Sequence, residues 1–192
     1  MDFNIWLEAL KNPKETFAAQ KAHASFSEGA KHILIAGVIL GLIMGIGGAV
    51  LGSLFLAPLL GAAAGAIMFV YGLIFGVIIA FLGWIINGVI YFIFAKILGG
   101  NGSLTTQLYL SALFMAPMMV LMGILMLIPF AGTILLFLLE LYGLYLLTLS
   151  LKEAHGFSTG RAVLSWLLPV IVIGIIMIAF VGLAFMAMFA AA

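Results

Sequence analysis

Apolar residues run along this chain in long blocks set apart by short polar breaks, and each block is long enough to cross a bilayer as a helix. The blocks fall at about 33–56, 67–96, 107–127, 131–151 and 158–189. A helix rises about 1.5 Å per residue and the hydrocarbon core is roughly 30 Å thick, so about 20 residues suffice for one crossing. Ahead of these blocks, residues 1–31 read differently. Phe3, Trp6, Leu7 and Leu10 recur at helical spacing among charges, which predicts an amphipathic helix lying on the membrane surface with Trp6 at headgroup level. Asn12 and Pro13 break that helix, and Pro13 is suited to open a second one.

The stretch from Leu59 to Ala95 is harder to place. As one helix it greatly exceeds the core thickness, so it must break, tilt, re-enter or cross twice. Charge decides between these. With five crossings and the N-terminus inside, Lys11, Lys14, Lys21, Lys31, Lys96, Lys152 and Arg161 all fall on the cytoplasmic side. Six crossings would move the last three across. The sequence therefore predicts an all-α integral membrane protein, a five-transmembrane-helix bundle with an N-terminal amphipathic segment at 1–31 and a membrane domain at 32–192. Gly61 to Gly65 then form a re-entrant or bent entry to the second crossing.

Composition agrees with the pattern. The chain is 67% hydrophobic and 7% charged, and no Lys, Arg, Asp or Glu lies between Lys31 and Lys96, which no soluble fold requires. Short alternating segments are missing, which excludes a membrane β-barrel. A net charge of +1 gives no footprint for nucleic acid. There is no cysteine, hence no disulfide and no thiolate chemistry. The first apolar run follows a segment of mixed charge, so it reads as a retained span and not as a cleaved signal.

Within the blocks, small residues mark packing faces. Gly37, Gly41, Gly45, Gly48 and Gly52 recur in a GxxxG-like pattern that lets helix backbones approach closely. Pro117 and Pro169 interrupt the third and fifth blocks, and Ser103 is placed to cap the third. At the hinge between the fourth and fifth blocks, Gly156 is placed to cap one helix and Ser158 to start the next, with Lys152, His155 and Arg161 at the cytoplasmic headgroup level.

The sharpest chemical signal is Glu140, the one acidic residue inside an apolar block. Asn87 lies at comparable depth and is the candidate hydrogen-bond partner; Thr133 shares the helix face of Glu140. Two readings stand: a polar lock between helices, or ion and proton handling. His23, His32 and His155 lie outside the blocks without metal-site spacing and read as solvated or interfacial, so no metal or other cofactor is expected. Ser53, Ser111 and Ser165 have no histidine at membrane depth to activate them, and the chain reads as not an enzyme.

Several segments carry a resemblance. They are the W-x5-NP-x3-F pattern at Trp6, Asn12, Pro13 and Phe17, then ILGGNGSL at Ile97 to Leu104, IPFAG at Ile128 to Gly132, and LYGLYLLTLSLKEAHGFSTGRAV from Leu141 to Val163. Together they resemble the Yip1 domain family of membrane proteins, most closely its short prokaryotic members. The resemblance implies five spans, a cytoplasmic N-terminus and, for a prokaryote, the plasma membrane. For eukaryotic members it implies vesicle traffic and binding of prenylated Rab GTPases. The short N-terminal segment here departs from those members, so the GTPase role does not carry over. What the sequence supports is a non-enzymatic protein that acts by helix association with itself, with other membrane proteins or with the lipid bilayer; the alternative is a small transporter or channel using Glu140.

Overall fold

The computed structural model describes residues 3–128 and 130–190, and every element among them is helical. Two short helices come first, α1 (Asn4–Lys11) and α2 (Pro13–Gln20). The chain continues through α3 (Phe26–Leu51), a short α4 (Ala57–Leu60), and the long helices α5 (Ala64–Ile97), α6 (Leu104–Met126), α7 (Ala131–His155) and α8 (Thr159–Ala190). Four unbroken helical stretches among the described residues are long and apolar enough to cross a membrane: Phe26–Ile97, Leu104–Met126, Ala131–His155 and Thr159–Leu183. The first contains both α3 and α5, folded back on each other.

That hairpin is built on glycine. Gly37 meets Val77 and Ala80, Gly41 meets Leu73 and Gly76, and Gly45 meets Phe69 and Gly72, so the two helices run antiparallel with backbones in contact. A methyl on Gly41 would lie 2.6 Å from the Leu73 carbonyl oxygen, and one on Gly72 would lie 2.7 Å from the Gly45 nitrogen. No Cβ fits either position. Gly48 and Gly52 continue the face against Met68. Close backbone approach of this kind is how helices gain dispersion contacts where burial from water offers little drive.

The entry to α5 is a turn. Residues 52–56 close a π-helical turn, and Gly61 takes φ 68°, which reverses the chain before α5 begins at Ala64. Glycine is suited to that left-handed conformation because it has no Cβ. Ala64 and Gly65 are buried against the end of α3, so of the two expected forms, re-entrant or bent, the small residues make the bent one and close the hairpin. From there α5 runs unbroken for 34 residues.

Helix α6 is the axis. Buried residues make up 61% of its most apolar stretch, against 6% for α8. On one side Ala112 and Ala116 pack with Ile33, Ala36, Ala80 and Trp84; on the other Leu110, Leu113 and Phe114 pack with Leu146, Leu151 and Phe17. Both α6 and α8 continue through their prolines. Beyond Pro169, the described side chains of α8 are exposed on nearly every side, Gly174 alone being half-buried.

The N-terminal helices dock on the bundle. Trp6 is buried, and its indole Nε1 donates to His32 Nδ1 at 2.8 Å. Phe17 packs at 6.1 Å from Phe114, Tyr109 donates to Gln20 Oε1, and Tyr142 donates to the Leu10 carbonyl. Of the amphipathic stripe, Trp6 is buried and Leu10 half-buried against the bundle, whereas Phe3 and Leu7 are exposed.

Candidate functional site

Helices α5 and α7 form the walls of a cavity of about 510 Å³, with α6 as its floor. Trp84 is held rigid in one wall, its Nε1 shared between Leu108 O and Ser111 Oγ at 3.1 Å each. One turn on, Asn87 and then Tyr91 line the same wall. The floor carries Met115, Met118, Met119 and Met122, whose spacing puts all four on one face of α6. Opposite stand Glu140, Gly143 and Leu144 of α7.

Glu140 and Asn87 thus share a cavity without bonding to each other. The Asn87 amide nitrogen donates to Gly83 O of its own helix at 2.8 Å. Glu140 is exposed at the mouth, and no hydrogen bond or ion pair to it is found among the described residues. A local acceptor one turn back satisfies the asparagine, and the expected lock between them is not formed. Thr133 lies two turns away, exposed and outside the cavity. The methionine face was the missed feature; its signal is the i, i+3, i+4, i+7 spacing within one apolar block.

A second polar centre closes the hinge end. His155 is 1% exposed, not solvated, because the Gly99 to Ser103 loop folds over the end of α7. Its Nε2 lies 2.8 Å from Gln107 Oε1, and Gln107 Nε2 donates to Gly88 O at 2.7 Å, so α5, α6 and α7 are tied by one chain of bonds. Phe157 stacks on the imidazole at 5.4 Å and Phe92 flanks it at 5.8 Å. Gly100 and Gly102 are required here: a Cβ on Gly100 would lie 2.7 Å from His155 Nδ1. That nitrogen is buried without a partner among the described residues.

Around it the other hinge residues take structural posts. Gly156 caps α7 at φ 68°, ψ 33°, and Phe157 N donates to Lys152 O at 3.0 Å. Ser158 immediately precedes α8 and its carbonyl accepts from Ala162 N. Lys152 Nζ reaches Thr159 Oγ1 at 3.4 Å, whereas Arg161 is exposed. Ser103 caps α6 by accepting from Thr106 N. Lys21 of the N-terminal segment donates to the Glu153 carbonyl, and Trp166 of α8 donates to Thr148 Oγ1. His32 is likewise buried, through its bond from Trp6.

The segments that meet at this end are scattered in sequence yet fall within a single matched region. A family model described as Yip1 domain matches residues 7–187. No curated protein and no solved structure matches the chain.

Proposed function

From the premise that this chain belongs to the Yip1 domain family, we propose that it is a non-enzymatic, five-span integral membrane protein that works by helix association with membrane partners. The observation that carries this reading is α8. Beyond Pro169, Ile175, Ile178 and Val181 are 62%, 76% and 58% exposed, so these three must meet lipid or another membrane protein. The glycine face of α3 is taken up within the protomer by α5.

Topology follows from one end of the bundle. Lys21 on the N-terminal segment bonds to Glu153, and Asn101 in the α5–α6 loop donates to His155 O, so these segments and the α7–α8 hinge lie together. Five crossings in α3, α5, α6, α7 and α8 put every Lys and Arg at that end, which supports a cytoplasmic N-terminus.

The chain has no cysteine, so single substitutions report cleanly. Ser158→Cys in intact cells is expected to resist impermeant maleimide until the membrane is opened; labelling from outside overturns the topology. A photo-crosslinker at Ile178 is expected to capture a discrete protein from native membranes, whereas the same probe at Ile33, buried in the core, captures none. Lipid adducts alone at Ile178 would overturn the association reading.

A further inference from the structure

The cavity between α5 and α7 has an electrostatic character that association does not use. Its volume of about 510 Å³ is in the range of small-molecule sites. Among its lining residues the only carboxyl group is that of Glu140, and no Lys, Arg or His stands among them to neutralise it. The rest of the lining is thioether, aromatic and aliphatic, apart from the Asn87 amide. We propose that this cavity binds a lipophilic organic monocation, a charge surrounded by apolar groups, with the Glu140 carboxylate as its counter-ion. The inference rests on the five-span reading, which puts Glu140 away from water.

Three observations converge on that ligand class. First, Glu140 has no hydrogen bond or ion pair among the described residues, so its carboxylate is available at the cavity mouth. An unpaired carboxylate at membrane depth is costly, and a cation beside it removes the cost. Second, the floor suits a varied apolar body. Methionine is flexible and polarizable and adapts to irregular shapes, while the ring of Tyr91 offers a face that attracts cations. Third, depth selects against a lipid amine. Glu140 is the tenth of the 25 residues of α7, about 13 Å from one end and about 22 Å from the other. A phospholipid headgroup would have to leave the interface to reach it, whereas a compact cation shielded by its own apolar groups partitions to that depth.

The fold also supplies a steric test independent of the charge. Gly83 lines the cavity, and a Cβ built on it meets nothing within 4 Å. A Cβ there displaces nothing, and a larger side chain built on it takes up room in the cavity.

The experiment is equilibrium dialysis of radiolabelled tetraphenylphosphonium against the full-length protein in phosphatidylcholine nanodiscs, with thermal melting read in parallel. Wild type is expected to bind one saturable equivalent. Glu140→Gln should weaken binding by about tenfold or more, as for a charge pair that loses one partner, and Glu140→Asp should retain part of it. Gly83→Leu should abolish binding with the carboxylate intact and the melt unchanged. No saturable binding by wild type, or equal binding by folded Glu140→Gln, overturns the proposal. If Glu140→Gln does not melt cooperatively, Gly83→Leu decides: undiminished binding there overturns it. Displacement of the probe on changing the nanodisc lipid to phosphatidylethanolamine also overturns it by assigning the cavity to a lipid amine. Failure of any of these leaves the topology standing, because topology is read separately by cysteine labelling.

Discussion

Gln107 accepts from His155 Nε2 across 2.8 Å and passes its own amide hydrogen to Gly88 O at 2.7 Å, so one buried carboxamide joins three helices. Gln107→Leu keeps the size of the side chain and removes both bonds. It leaves the Gly88 carbonyl and the His155 nitrogen buried and unpaired, which costs about 1–3 kcal/mol. Thermal melting in detergent should register the loss, with Gln107→Glu milder than Gln107→Leu.

The hairpin between α3 and α5 predicts a sharp contrast between two glycines of one helix. Gly76 lies against the backbone of Gly41, where a side chain must force the helices apart; Gly83 faces open space. Overpacking costs about 1–3 kcal/mol, so Gly76→Leu should lower the melting temperature and Gly83→Ala should hold or raise it. Equal effects at both positions would mean that the helices do not meet as described.

Glu140 is not a source of stability. With no bond to Asn87 to lose, neither Glu140→Gln nor Glu140→Leu should lower the melting temperature, and leucine, which removes the unpaired acid from membrane depth, should hold or raise it. A polar lock would instead have made leucine the costly substitution. The comparison of melts for the two variants separates these outcomes.

At the end of α7, Gly156 holds φ at 68°, where an L-residue is strained by about 1–2 kcal/mol. Gly156→Ala should lose that much in a melt. The loss should be paired with easier proteolysis between α7 and α8, since the cap fixes the hinge.

What the chain disclosed in advance follows the range of the interactions. Gly156 and Ser103 act on neighbours within a turn, so their caps are readable from the local sequence. The glycine period of α3 is also local, but the answering residues Gly72 and Gly76 become meaningful only once Gly61 reverses the chain. His155 reads as interfacial because nothing near it in sequence says that a loop from α5 to α6 will cover it. Asn87 and Glu140 share a depth, which put them in one cavity, yet rotation about each helix decides bonding, and Gly83 O was nearer to the asparagine. The stripe of α1 announces an apolar face without saying whether protein or lipid covers it.

The docking of α1 and α2 sets an order of events during synthesis. Trp6 can find His32 as soon as α3 exists, but Lys21 and Leu10 each wait for a partner 132 residues further along, Glu153 and Tyr142 respectively. Phe17 similarly waits for Phe114. This segment, made before the helices it docks on, therefore settles only after α6 and α7 have emerged and packed, and until then its apolar stripe is open to chaperones and proteases. A docked N-terminal segment is thus a signal that the central helices behind it have assembled.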